Sequence, residues 1–335
     1  MADTRTAVSE LATALGMLDH GSVGWAVLQR PAEVHVGAEA WEQLDAGLRD
    51  PALQELAEAA YANGVAFTCH PEGLGGRRPA RIEWTGGHRP PGDQVIPADL
   101  RVDRVYLVSC KYLSKVLHNA APARVFDHLL KATDAHDRTD WFAQVAPDAH
   151  RALARAASVG VGCPFPDDPA VADPSERRRL RDALRELGRR WPDEAVEPYE
   201  RLCAEVSRAS AERWRAAAGT PGAREQLLWR LLRFAAAPYF VLGAGRHDVI
   251  RLRIDTPWDW RQRFELRCFD VEPDRAGQPQ VRWAATVADR DAGSERVVEG
   301  HVEVRWSHGR FAGPPEAKVY LDTPPADVPG YVPLT

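Results

Sequence analysis

Asp93, Ser109 and Lys111 are the residues of this chain whose types and spacing could do chemistry together. They lie in the run from Gly92 to Lys111, which reads as two strands joined by a turn. If the strands turn about Val102 through an odd-numbered loop, Asp93 lies opposite Lys111, Val95 opposite Ser109 and Asp99 opposite Val105. Side chains alternate along a strand, so Asp93, Ser109 and Lys111 share one side while Val108 and Cys110 point to the other. A carboxylate facing an ammonium at the open end of a hairpin is the pairing that metal-dependent phosphodiester hydrolysis needs. Asp99 is a second acid in the same run. It lies six residues from Asp93, about 20 Å along a strand, and in this register it does not share a site with Lys111.

The stretch resembles the PD-(D/E)XK, or restriction-endonuclease-like, superfamily, whose core hairpin carries an Asp followed by an acidic-x-Lys triplet. Asp93 takes the place of that Asp and Ser109-Cys110-Lys111 that of the triplet, with Ser in the acidic slot. The resemblance covers residues 39 to 135. It implies hydrolysis of DNA phosphodiesters with Mg²⁺ (or Mn²⁺). Asp93 and the backbone carbonyl of Cys110 would hold the metal, and Lys111 would orient the attacking water and offset charge on the phosphate. A neutral Ser109 is a weaker ligand than a carboxylate, so another acid is needed. Glu83 on the preceding strand, or Glu55 and Glu58 on a preceding helix, are the candidates.

After the triplet the chain runs through Tyr112-Leu113-Ser114-Lys115-Val116-Leu117-His118-Asn119, and Pro122 then opens an amphipathic helix to Ala135. Strand, polar loop and helix is the order of the superfamily core. Lys115, with His118 and Asn119, would contact DNA phosphates. A second constellation, Glu303 to Phe311, offers Arg305 and Arg310 for a guanine edge and His308 for a phosphate. An exposed, salt-linked strand explains the same residues.

The elements that must position these groups follow from pattern. Residues 4 to 19 read as a helix, 23 to 36 as two short strands broken at Arg30-Pro31, and Ala38 to Leu48 and Pro51 to Asn63 as helices, the latter stopped by Gly64. Residues 65 to 69 and 80 to 85 read as strands around a glycine-rich turn that lacks a phosphate-loop ending. The middle third is helical and charged, with an Asp173-Pro174-Ser175-Glu176 cap, and its arginines read as a solvated, ion-paired face. Strands dominate from Tyr239.

The fold class expected is α+β or α/β: a mixed sheet flanked by helices with a restriction-endonuclease-like core, a helical middle region and a β-rich C-terminal unit. The boundaries are residues 1–38 for an N-terminal helix and short strands, 39–140 for the nuclease-like core, 141–237 for the helical region and 238–335 for the β-rich unit, a place for DNA recognition.

Composition bounds the function. The 335 residues suffice for two cores, and 44% hydrophobic content is that of a globular chain. No window is apolar enough to span a membrane and the N-terminus lacks a signal-like core, so a cytoplasmic protein is expected. Five cysteines without Cys-x-x-Cys spacing indicate neither a disulfide framework nor a thiolate zinc site. A net charge of −5 does not advertise nucleic-acid binding, although arginines cluster locally.

Three functions compete. The first is a Mg²⁺-dependent endonuclease acting on DNA in restriction or defence against foreign DNA, with a homodimer left open because cutting both strands commonly needs two sites. The second is a catalytically inactive nuclease-fold protein that binds nucleic acid or a partner protein. The third, a thiol hydrolase built on Cys110 with His118 or His128, requires an exposed sulfur, whereas the register turns that sulfur toward the core.

Overall fold

The structure is a computed structural model that describes residues 4–86, 98–112, 116–127, 140–244, 249–274 and 277–334. Its elements in chain order begin with α1 (Thr4–Gly16), α2 (Val23–Gln29), β1 (Val34–His35), α3 (Ala38–Leu48), α4 (Pro51–Cys69), β2 (Ile82–Trp84), β3 (Leu100–Val102), β4 (Tyr106–Tyr112) and β5 (Val116–Ala120). The helical stretch follows as α5 (Pro122–Phe126), α6 (Trp141–Val145), α7 (Pro147–Gly160), α8 (Pro174–Glu186), α9 (Asp193–Ala217) and α10 (Pro221–Leu231). The last elements are β6 (Tyr239–Ala244), β7 (Val249–Ile254), α11 (Pro257–Arg263), β8 (Phe264–Asp274), β9 (Gln280–Asp289), β10 (Ser294–Arg305), β11 (Glu316–Leu321) and β12 (Tyr331–Pro333).

The architecture is mixed α and β, as the pattern predicts, but the chain is divided differently. Two units form, one from Met1–Lys115, Arg233–Phe264 and Pro325–Thr335, the other from Val116–Leu232 and Glu265–Pro324. Breaks at residues 38, 140 and 237 are therefore not where the units part. The reason is strand pairing: β6, β7 and β12 join the sheet of the N-terminal strands, so a linear division cannot describe the unit.

Among the described residues, the first unit is built on a seven-stranded sheet in the order β1-β2-β3-β4-β6-β7-β12. β2, β3 and β4 form an antiparallel meander, while β4 and β6 run parallel. One face carries Ile82, Leu100, Val102, Val108, Phe240 and Leu242 into a core shared with Val8, Leu11 and Leu15 of α1 and Leu44 of α3. Each such side chain contributes about 1.5–3 kcal/mol on burial. The second unit holds the antiparallel sheet β5-β11-β10-β9-β8. Its apolar positions include Val281, Trp283, Val302 and Val319, and Trp141 and Trp214 are buried among its helices.

Two stretches depart from the pattern. Residues 23 to 29 form the helix α2 rather than a strand, because Ser22 accepts from the Trp25 N–H and caps its first turn. Gly64 does not stop α4, which continues to Cys69 in place of the expected strand. This glycine serves close approach instead. A Cβ on Gly64 would stand 2.1 Å from the Thr13 carbonyl oxygen, and one on Gly16 would stand 2.0 Å from the Tyr61 carbonyl oxygen. The backbones of α1 and α4 touch at these two glycines, which sets the depth of α1 on the sheet. The charged helix α8 keeps its cap, with Asp173 and Glu176 forming a capping box. Arg177 and Arg178 donate to carbonyls, and Arg181 pairs with the neighbouring Asp182.

Gly64→Ala raises helix propensity in an exposed helix, yet here it should destabilise the protein by about 2–3 kcal/mol because the added methyl meets backbone. Urea unfolding of the variant checks this, and a neutral or stabilising result would contradict the close α1–α4 contact.

Candidate active site at the open end of the β3–β4 hairpin

The hairpin turns at Asp103 and Arg104, both in the left-handed region at φ 49° and 61°, and the Val105 N–H closes the turn onto the Val102 carbonyl. Its ladder pairs Val102 with Tyr106, Arg101 with Leu107 and Leu100 with Val108. The turn is therefore centred at Arg104 and not at Val102. An even displacement keeps every side chain on its expected face but changes its partner, so Ser109 meets Asp99 in place of Val95. Asp93 itself lies outside the described residues, as does Lys115.

Asp99 stands one step before β3. The Cys110 N–H lies beyond the end of that short strand, and the Asp99 carboxylate receives it at 2.6 Å through Oδ2. The Ser109 hydroxyl donates to the same oxygen at 3.1 Å. Ser109 is completely buried. The acid set aside by the expected register is thus the one that the hairpin brings to the triplet.

A second carboxylate arrives from α1. Glu10 lies on the buried side of that helix, 6% exposed, and accepts from Nε1 of Trp84 at 2.6 Å through Oε2. Burial, then the charge of Asp99, pushes its carboxyl up to about 8, with the Trp84 bond and Lys111 acting in the opposite sense. Lys111 is itself half-buried, and burial followed by the positive charge of Arg233 pulls its ammonium below the usual lysine range. Asp99 and Glu10 partly offset that shift. Glu10, Asp99 and Lys111 therefore form one electrostatic cluster.

The backbone of Lys111 is held from the other side. It pairs with Gly243 of β6, where a Cβ would stand 1.8 Å from the Lys111 carbonyl oxygen. The Gly243 carbonyl accepts from Nδ2 of Asn63 at 3.0 Å, and Arg251 donates to Oδ1 of the same Asn63 at 2.8 Å. Buried Asn63 so ties α4 to β6 and β7 beside the lysine.

Other expected ligands are not in this corner. Glu83 is opposite Arg101 and pairs with Arg81 at 2.8 Å, and Glu55 and Glu58 are exposed on α4. Cys110 turns its sulfur among the core residues, and burial with the nearby Asp99 and Glu10 raises its thiol well above the ordinary value. A thiolate nucleophile at this position is disfavoured.

The expected nucleic-acid contacts fall in the second unit. His118 donates from Nε2 to the Arg230 carbonyl at 3.0 Å, and Asn119 is exposed on β5. Arg305 pairs with Glu303 at 3.2 Å. His308 is exposed, 3.5 Å from Glu316. Arg310 donates to the Arg190 and Gly188 carbonyls and lies 4.4 Å over the Trp191 ring, so it fastens the loop after α8.

Among the described residues no group of three or more His, Cys, Asp or Glu side chains is arranged to hold a metal ion. Mg²⁺ commonly takes one or two carboxylates and keeps several waters. Glu10 and Asp99 are two such carboxylates, and Glu10, held neutral first by burial and then by the charge of Asp99, would ionise beside a divalent cation. No family model, curated protein or solved structure matches the chain. No described helix is long and apolar enough to cross a membrane.

The raised carboxyl has a pH signature. The folded protein keeps the Glu10 proton up to about pH 8, whereas the unfolded chain releases it near 4.5. The Glu10 contribution to stability is thus fully present below 4.5, falls as pH rises to about 8 and levels beyond. In chelator, Glu10→Gln should equal the wild type near pH 5 and exceed it at pH 9 by more than about 1.4 kcal/mol, the worth of one pH unit. Denaturant melts at the two pH values measure the difference; equal stability at pH 9 would put this carboxylate in water.

Proposed function

We propose that the protein is a Mg²⁺-dependent endonuclease of the PD-(D/E)XK type that hydrolyses DNA phosphodiester bonds in the cytoplasm, in restriction or defence against foreign DNA. What supports this reading is that Asp99 is held at the open end of the hairpin by Ser109 and Cys110, and that Glu10, Asp99 and Lys111 lie near enough for each to feel the others' charge. Asp99 replaces Asp93 as the hairpin acid in this reading, and Glu10 replaces Glu83 and Glu58 as the additional one. DNA is the partner, and a homodimer is the assembly that would cut both strands.

Glu10 and Asp99 would hold Mg²⁺ or Mn²⁺, joined by the Cys110 carbonyl, and the bound ion supplies a polarised water and neutralises phosphate charge. Asp99 is oriented for this by the Ser109 hydroxyl and the Cys110 N–H. Ser109 thereby serves the acid opposite it instead of acting as a carboxylate ligand. Lys111, lowered by burial and by Arg233, is suited to take a proton from the attacking water as its oxygen bonds to phosphorus and the leaving oxygen departs.

A second reading is favoured by the serine at position 109 and by the lack of a three-ligand group among the described residues. In it the same fold binds nucleic acid or a partner protein without cutting.

Plasmid DNA incubated with Mg²⁺ or Mn²⁺ separates the two. Wild-type protein should nick or linearise it, and Asp99→Asn, Glu10→Gln and Lys111→Met should each lower the rate about 100-fold or more. Loss of cleavage with Asp93→Ala and its retention with Asp99→Asn would return the site to the other register. DNA retained on the wild-type protein without any cleavage, in either metal, would support the non-cutting reading.

A further inference from the structure

Trp84 and Thr85, adjacent residues at the end of β2, each reach one of the two acids. Trp84 donates from Nε1 to Oε2 of Glu10 at 2.6 Å. An indole can only donate, so its chemistry fixes the direction of this bond. The Thr85 N–H donates to the Asp99 carbonyl at 3.0 Å. The Thr85 hydroxyl lies 2.7 Å from the Ala98 carbonyl oxygen and 3.1 Å from that of Asp99, and shares its one proton between them. The Asp99 N–H in turn donates to the Val108 carbonyl of β4 at 2.8 Å.

Both acids are thus referred to one strand end, by different means. On Glu10 the indole grips the carboxylate itself. On Asp99, Thr85 and Val108 grip the main chain from β2 and β4, while Ser109 and Cys110 hold the carboxylate. The β2–β3 ladder sets Trp84 opposite Leu100, so the residue after Trp84 falls against the residue before Leu100. Glu10 comes from a separate element, α1, and is 6% exposed. Plain packing would be served as well by an uncharged amide at position 10, which costs less to bury. What a carboxylate adds is a ligand for a cation. Oxygen ligands of Mg²⁺ stand about 2.0–2.1 Å from the ion in a near-octahedral arrangement, so a small displacement of either acid is felt in the affinity.

We propose that Trp84 and Thr85 are positioning residues that set Glu10 and Asp99 at the spacing one divalent cation requires. The inference rests on the metal site formed by those two acids. Trp84 acts through the Glu10 carboxylate and Thr85 through the Asp99 main chain. Neither is itself a ligand. Because the two positioning residues are neighbours on one strand, a shift of α1 relative to the β2–β3–β4 meander is resisted by the same strand end that holds the hairpin acid.

Calorimetric titration of Mn²⁺ into the full-length, metal-stripped protein tests this, with a thermal melt of each variant to show that it folds. Trp84→Phe keeps an aromatic ring and removes the N–H, and should raise the Mn²⁺ dissociation constant about 10–100-fold. Thr85→Val keeps the shape, leaves the main-chain bond in place and removes the hydroxyl, and should raise it about 5-fold. Thr85→Val carries the test alone if Trp84→Phe does not fold. Trp84→Phe and Glu10→Gln act on one ligand, so their double variant should bind no more weakly than Glu10→Gln alone. A lower melting temperature with wild-type Mn²⁺ affinity in either single variant, or losses that add in the double variant, would reduce these residues to packing and overturn the inference while leaving the metal site standing. If wild-type protein shows no saturable Mn²⁺ binding that Asp99→Asn abolishes, the metal site fails, and the positioning role fails with it.

Discussion

A carboxylate taken out of water beside a second carboxylate is unfavourable unless nearby groups answer its charge, and the first unit is organised around one such pair. Glu10 is answered by the Trp84 indole and, at longer range, by Lys111. Asp99 is answered by the Cys110 N–H and the Ser109 hydroxyl. These partners come from α1, β2, β4 and the residue ahead of β3, so the pair meets only when helix and meander are both in place. Its arrangement depends on two contacts without side chains: the glycine-lined crossing of α1 on α4, and the approach of β6 to β4 at Gly243.

The polar corner lies at the margin of an apolar layer. One sheet face is given to the core shared with α1, α3 and α4, while Leu107, Ser109 and Tyr239 line the other, and these too are buried. Low local dielectric strengthens every interaction among Glu10, Asp99, Lys111 and Arg233. The same burial holds Glu10 toward its neutral form and Lys111 below its usual range. A divalent cation beside Glu10 and Asp99 would favour their ionised forms, which is the physical content of the nuclease reading.

Much of the architecture was legible from local pattern. The helix over Ala38–Leu48, the capping box ahead of α8, the helical middle third and the strands of the last third appear close to where periodicity and caps put them. The departures were a missed helix cap at Ser22, a glycine and a register. Gly64 carried an ordinary stop signal, and only the proximity of α1 shows why a helix should keep a glycine in its interior. The hairpin centre was misplaced by two residues because Asp103 and Arg104 accept left-handed conformations that an apolar-alternation argument does not weigh.

The chain by itself therefore determined the elements, the face on which Ser109 and Lys111 stand, and the inward turn of Cys110, since strand alternation survives any even shift of register. Tertiary structure decided which acid those residues meet. Glu10 lies some ninety positions before Asp99, Arg233 and Tyr239 lie far beyond Lys111, and no local rule couples residues so distant. Their convergence follows from packing α1 against the sheet and from inserting β6 beside β4, which are collective consequences of burying one continuous core.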